Sequence, residues 1–471
     1  MVKGPRPPPH KLSTRPAQVA TKGASGEGLA LVRPGLMRRV LYLTPYFPPQ
    51  SRVGALRPLK FARHLPTHGW VPIVLCDLKR RDPLDPELLS QVPTSTVVVR
   101  DYGITGRNNE AAFLRTLGNL RPPGPAPMSA ASGHQRRPGF AVRPFAAFDR
   151  NPELIPLGEH SLDVPHAVRA ARRLLARYRC DAILVNADPW AATLVGRRLA
   201  HETGLPLVLD LRDPWAPCEL RRPMRPPLQR RVVDYLERTA VEAAAQVILN
   251  TDTSCEAYRD HYRDLPEARF CTIRNHSDPG LIAGSPDPPS AQFTVLFLGN
   301  LRRFIESDTL LLALGALRQT PCPRTEVRLR IVGRVPAEVL ARARELGVHE
   351  SLSVEPPVSY SRIGGIMHSA DLLVAVSHAG RQRIPAKLYD YLTTPRPILA
   401  LSDNPELATL LGTAGEATVC PRGDVDAVRA AIAHEVALGR QRTVARTPTG
   451  TDSASATARL ARILDEVTGA S

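Results

Sequence analysis

No stretch of the chain approaches the run of about 18 apolar residues that a membrane-spanning helix requires. The N-terminal region also lacks the short apolar core of a secretion signal, so the expectation is a protein that does not cross a membrane. Aromatic residues are scarce, at 5% of the 471 positions. The aromatic interleaving of single-stranded nucleic-acid binders is therefore absent, and no DNA- or RNA-module signature replaces it. The seven cysteines (Cys76, Cys180, Cys218, Cys255, Cys271, Cys322 and Cys420) never approach CxxC spacing. Several lie in or beside strand-like segments, which argues against a disulfide framework or zinc knuckle and for buried thiols in a reducing cytosol. There is no GxxxxGK(S/T) phosphate loop, no GxGxxG after the first strand and no GxSxG elbow. A Walker-A NTPase and a GxSxG hydrolase are thereby excluded, and a conventional dinucleotide fold is weakened.

What the chain has in excess is proline and positive charge. Its 47 prolines are about twice average usage, and they crowd into particular stretches that mark boundaries. Lys and Arg outnumber Asp and Glu by 62 to 45, a net charge of +17 with an isoelectric point near 10.1. Residues 1–39 hold eight of the basic groups against the single Glu27. Such a surface favours phosphates, whether on nucleotides, nucleic acid or anionic lipid. The 43% apolar content is enough for a folded protein, and the length predicts two or three domains.

Residues 1–36 mix Pro, Gly, Ser and Lys without apolar periodicity and read as a disordered basic tail. From RRVLYLT (38–44) onward, apolar strands alternate with helical patterns up to RFCTIRN (269–275). A Pro/Arg-rich insertion at about 101–160 interrupts the series. HSDPGLIAGSPDPPSAQ (276–292) reads as a linker, and a second alternating series fills 293–440. Residues 441–471 form a tail with a helix over 456–467. Near-continuous apolar strands separated by helices predict parallel sheets covered on both faces. The fold class is α/β, with two tandem Rossmann-like domains (37–275 and 293–440) facing a cleft. Ligands of such sheets sit beyond the carboxyl ends of the strands, so the loops there carry the functional reading.

Two loops of the second domain point to a phosphate. GNLRR (299–303) follows a strand, with Gly299 permitting close backbone approach and Arg302 and Arg303 able to clamp a diphosphate. RQRIPAKLYDYL (381–392) follows another strand, opens a helix at Pro385 and carries Lys387 and Asp390. Taken singly, each is equally an exposed loop or a surface Lys–Asp pair; together they favour a nucleoside diphosphate. In the first domain, TPYFPPQSRVGALRP (44–58) places Arg52, Gly54 and Arg57 near a helix start. NADPW (186–190) and LDLRDPW (209–215) put Asp188, Arg212 and Asp213 at strand ends, as substrate contacts or internal ion pairs. His64 and His68 lack a third ligand, and Asp424-Val425-Asp426 reads as a helix cap, so no metal is expected.

These segments, in order from about residue 38 to 440, resemble the GT-B glycosyltransferases, in particular the retaining family 4-like group. The resemblance rests on TPYFPP, on NADPWAATLVGRRLAHETGLPLVLDLRDPW (186–215), and on FLGNLRR, IVGR (331–334) and IPAKLYDYLTTPRPILAL (384–401). It implies a hexosyltransferase-like enzyme without cofactor or metal, using a nucleotide sugar as co-substrate. Carried over by position, Gly299, Arg302, Arg303, Pro385, Lys387 and the backbone near Leu388 would hold the diphosphate, and Asp390 the ribose. Arg334 and Val358 would lie by the base. Arg52, Gly54 and Asp188 would face the acceptor, a glycan, lipid-linked or small-molecule alcohol. Arg212 and Asp213 are the catalytic candidates, since no cleft histidine stands near Ala187 and Gln382 replaces a sugar-contacting Glu. The implied setting is polysaccharide biosynthesis in the cytoplasm, with peripheral contact to an anionic inner membrane face and no nucleic acid. The alternatives are a nucleotide-sugar epimerase of the same fold or a non-catalytic binding protein.

Overall fold

Alternation of buried strands with amphipathic helices builds two parallel sheets. The computed structural model describes residues 37–78, 83–104, 158–187, 189–282, 284–288, 290–301, 305–319, 326–377, 380–447 and 450–469. The tail expected over 1–36 and most of the Pro/Arg-rich insertion lie outside the described residues, as do Asp188, Arg302 and Arg303. The described residues form one compact unit.

In the first sheet, β1 (Arg38–Leu43) lies between β2 (Trp70–Leu75) and β4 (Ala182–Asn186), with Leu41 opposite both Ile73 and Ile183. The spatial order is β3-β2-β1-β4-β5-β6-β7, all parallel, where β3 is Val97–Val99, β5 Leu207–Leu211, β6 Gln246–Leu249 and β7 Phe270–Thr272. The covering helices are α1 (Val53–His64), α2 (Val164–Tyr178), α3 (Ala191–Thr203), α4 (Pro227–Ala243) and α5 (Asp252–His261). Strand side chains such as Leu43, Ile183 and Leu209 are fully buried, which the helices on both faces require.

The second sheet has the order β10-β9-β8-β11-β12-β13. Its strands are β8 (Phe293–Leu298), β9 (Val327–Val332), β10 (Leu352–Glu355), β11 (Leu372–Val376), β12 (Ile398–Leu401) and β13 (Thr418–Cys420). Around it lie α6 (Ile305–Gln319), α7 (Ala337–Glu345), α8 (Ile363–Ser369), α9 (Ala386–Tyr391), α10 (Pro405–Ala414) and α11 (Val425–Leu438). Asp424 caps α11 by accepting from the Ala427 N–H at 2.9 Å, as the sequence reading expected. In each sheet the strand order reverses once, between β1 and β4 and between β8 and β11. Crevices open at those two points.

Two features escaped the sequence reading. The last helix, α12 (Ser453–Val467), leaves the second domain and packs Ala456, Leu460 and Leu464 against the first sheet. Asp465 fastens it there, accepting from the Trp70 indole N–H at 2.8 Å and pairing with Arg38. The segment read as a linker from composition is also partly built into the interior: His276, Ser277, Asp278, Leu281 and Ile282 are all buried. Asp278 there accepts from Arg63 and lies 3.0 Å from His64 Nε2, so a carboxylate of the linker segment is packed against α1. None of the described cysteines forms a disulfide with another of them, and burial pushes the Cys180 thiol up to about 12 and the Cys271 thiol up to about 11.

Candidate active site in the interdomain cleft

The ends of both sheets converge on a cavity of about 400 Å³, within the range of small-ligand sites. One wall comes from the loops after β8 and β11, the switch point of the second sheet. The opposite wall comes from α1 and from the ends of β5, β6 and β7.

On the C-terminal wall, the chain leaves β8 through Gly299 with φ +105°, a conformation that side chains disfavour. Its carbonyl packs so closely on Gly333 that a Cβ there would sit 2.0 Å from it. The turn is stitched down further by the Leu301 N–H donating to the Arg334 carbonyl and the Arg334 N–H donating to Asn300 Oδ1. Across the switch point, Lys387 on α9 reaches back over β8. Its Nζ donates to the Leu298 carbonyl at 3.0 Å and stands 3.4 Å from the Phe297 ring centroid. No carboxylate lies within ion-pair distance of it among the described residues, and burial pulls its pKa down to about 7. Bound anionic phosphate would reverse that shift by restoring an opposite charge.

The N-terminal wall is organised around a buried ion pair. Arg57 on α1 grips Asp210 at the end of β5 through Nε and Nη2, at 2.9 and 2.8 Å. Its remaining donors go to the carbonyls of Ile273 and Arg274. Arg57 therefore fixes α1 to the ends of β5 and β7, and its charge is already matched inside the protein. Gly54 sits at the start of the same helix, where a Cβ would press to 2.8 Å of the Tyr46 ring and 3.0 Å of the Arg212 guanidinium. Lys60, one turn beyond Arg57, donates to the His276 carbonyl at 2.7 Å and faces Asp390 at 3.6 Å.

Of the residues singled out by sequence, Arg57, Gly299, Pro385, Lys387, Asp390, Arg212 and Asp213 line this cavity. Asp390 Oδ1 also accepts from Ser277 and Tyr360 at 2.9 Å each, so that oxygen spans both domains as well as facing the cavity. Asp213 is likewise tied across the cleft, to Arg383 at 3.2 Å. Other residues fall elsewhere. Arg52 is exposed, with its guanidinium 5.2 Å from the Tyr46 ring centroid. Arg334 is exposed and Val358 packs against the second core, neither among the cavity-lining side chains. The Leu388 side chain is in the core, and its N–H donates to the Pro385 carbonyl. Because α9 has only six residues, its dipole is short, and anion attraction at this wall falls mainly on side chains.

Gln382 shows what became of the expected sugar-contacting position. It is buried outside the cavity lining, and its amide accepts from the Glu219 N–H and donates to the Pro217 carbonyl. Its own carbonyl accepts from the Thr251 and Ser254 hydroxyls. Gln382 thus pins the second domain onto the first. The sequence reading missed Lys60, Asn250, Asn275, His276 and Arg383 as cavity-lining residues. For Asn275 and His276 the signal was the NHSD segment shortly after the last strand of the first sheet, masked by its linker-like composition.

Residues 130–280 match the family model described as Glycosyltransferase Family 4. A D-inositol 3-phosphate glycosyltransferase of Nocardiopsis dassonvillei is 26% identical over 215 residues, covering 42% of this chain and 49% of that protein. The chain thus spans about half the length of that curated relative. Among solved structures, Anabaena HepE in complex with UDP and glucose aligns at TM-score 0.55 and 15% identity, over 92% of this chain and 97% of that one. A structure described as a putative UDP-N-acetylglucosamine 2-epimerase from Listeria monocytogenes aligns at TM-score 0.57 and 10% identity, over 92% and 97%. The resemblance to GT-B, family 4-like glycosyltransferases read from the motifs is borne out, and so is the fold of two Rossmann-like domains.

Proposed function

We propose that the chain is a retaining glycosyltransferase, moving a sugar from a nucleoside-diphosphate sugar to a hydroxyl-bearing acceptor. The observation that carries this reading is the convergence of Gly299, Lys387 and Asp390 with Arg212 and Asp213 around one interdomain cavity. The donor's diphosphate lies against the C-terminal wall and the acceptor against the N-terminal one. A UDP-sugar is the favoured donor, because the Anabaena neighbour of like fold binds UDP. In the reaction the bond from the anomeric carbon to the diphosphate oxygen breaks and a bond to the acceptor oxygen forms on the same face. The acceptor proton passes to the departing nucleoside diphosphate. The main demand is to stabilise charge developing on that leaving group, which fixed cations in a closed cleft do well. Lys387 supplies one such cation, and Arg302 and Arg303, which follow Gly299 closely in the sequence, supply two more. The transfer needs neither metal nor cofactor, so saturating EDTA leaves it unchanged.

An epimerase of the same fold would need acid and base groups disposed about the sugar ring. Among the described residues the carboxylates lining the cavity, Asp213 and Asp390, each face a cation, Arg383 and Lys60, which favours the transferase. The test is a thermal-shift panel of UDP-, GDP-, ADP- and dTDP-sugars, followed by an assay for nucleotide release with an acceptor alcohol. A rise in Tm for one nucleotide and sugar transfer from it are expected. No binder in the panel sinks the donor assignment, and binding without transfer leaves a non-catalytic protein. No described helix is long and apolar enough to cross a membrane. Lipid-linked acceptors would instead be reached by the basic residues of 1–36 settling on an anionic membrane face. Sedimentation with phosphatidylserine vesicles checks this, and equal partitioning after Lys/Arg→Ser replacement throughout the tail ends it.

A further inference from the structure

Most polar side chains around the cleft find partners inside the protein, but the ends of β6 and β7 present two acceptor atoms that do not. His276 is 3% exposed and lines the cavity. Its Nδ1 lies 3.2 Å from the Arg274 carbonyl oxygen. A carbonyl only accepts, so Nδ1 carries the ring proton and Nε2 is a bare acceptor. Nε2 has no hydrogen-bond partner among the described residues. Burial, reinforced by Arg57 and Lys60, holds the imidazole pKa well below its usual value, so the ring stays neutral near pH 7. Asn250, also 3% exposed and lining the cavity, has an Oδ1 with no hydrogen-bond partner among the described residues. Buried acceptors left in this state are rare, because desolvation without a donor is costly.

We infer that Asn250 and His276 form a hydrogen-bond-accepting subsite on the N-terminal wall that takes neutral hydroxyl groups of a substrate. The inference rests on the transferase reading and specifies what one wall of that site recognises. A group bound there must donate. An ammonium donor is repelled, because Arg57, Lys60, Arg212, Arg383 and Lys387 line the same cavity. A hydroxyl donates without adding positive charge. His276 is held in place for this task by Lys60, which grips its carbonyl while facing Asp390 of the other domain. It acts as a positioning residue that fixes a hydroxyl between the two walls. The hydroxyl belongs either to the sugar of the nucleotide donor or to the acceptor alcohol.

The experiment follows the Nε2 nitrogen resonance of His276 in full-length protein labelled with ¹⁵N-histidine. Probes are UDP, UDP-glucose, and UDP with myo-inositol or methyl glucoside. An upfield movement of Nε2 with UDP-glucose but not UDP assigns the donor sugar, and movement only with an added polyol assigns the acceptor. In parallel, His276→Phe weakens the responding probe about tenfold, as for loss of one buried acceptor, whereas His276→Gln, which keeps an amide oxygen, restores most of it. UDP affinity is unchanged in both variants. An Nε2 resonance that stays put with every probe overturns the subsite, as does equal probe affinity across wild type and both variants. If polyols move Nε2 while no nucleotide binds, the subsite stands and the transferase reading falls.

Discussion

The two walls of the cleft carry cations of different kinds. On the N-terminal wall, Arg57 is bidentate to Asp210 and Lys60 faces Asp390, so both charges are answered within the fold. On the C-terminal wall, Lys387 is buried with a carbonyl and an aromatic face for company and no carboxylate within reach among the described residues. A count of basic residues would not reveal this difference. What separates them is whether each charge is already matched, because only an unmatched buried cation gains from an arriving anion. Arg57 and Lys60 thus act as scaffold, and under the proposed function Lys387 is the cation left to meet the ligand.

The largest expected effect breaks the scaffolding side. Asp210→Ala leaves Arg57 buried without its partner and should cost about 3–5 kcal/mol of folding stability, read by urea denaturation. A loss below about 1 kcal/mol would show that the pair does not organise the wall. Next comes the binding side. Lys387→Ala, and equally Arg302→Ala or Arg303→Ala, should lower kcat/KM for transfer by on the order of 10²-fold, with about 3 kcal/mol lost per contact. Unchanged kinetics in all three variants would refute the donor wall.

The titration of Lys387 sharpens the contrast. Its pKa falls from an ordinary value of 10.5 to about 7 on folding. Between those values the unfolded chain binds more protons than the folded one, so this lysine makes stability rise as pH increases through that window. A nucleoside diphosphate raises the pKa again, so binding near pH 7.5 takes up a fraction of a proton. Calorimetry in buffers of different ionisation enthalpy reads that uptake. Lys387→Met should abolish it, and uptake surviving in that variant assigns it to another group. The smallest effect belongs to the exposed rim: Arg52→Ala should change stability by no more than about 0.5 kcal/mol, and a substantial loss of transfer there would draw the acceptor outward, towards Tyr46.

Legibility in the sequence followed the range of the forces involved. Strands such as Trp70–Leu75 and Phe293–Leu298 were visible because a strand covered on both faces must be apolar along its length. The loops carrying Gly299 and Lys387 were visible because strand ends in such folds are where ligands sit. Asp390 was found, yet its sharing between Ser277, Tyr360 and Lys60 was not, since those partners are remote in the chain. Gln382 could be placed only as a substitution in a motif. Its use as an interdomain pin depends on the Pro217 carbonyl and the Glu219 N–H, which no local pattern brings near.

The linear order of residues alone settled the α/β alternation, the two tandem sheets and the loops that would meet a phosphate, because periodicity and turn chemistry act over a few neighbours. The three-dimensional packing alone decided that the last helix returns to the first sheet and that Arg57 is matched by Asp210 while Lys387 meets no carboxylate among the described residues. It also turned a linker-like histidine into a buried acceptor on the cleft wall. Those outcomes depend on which groups meet across hundreds of residues and are shielded together from water, and burial and pairing of that kind exist only once the chain has folded.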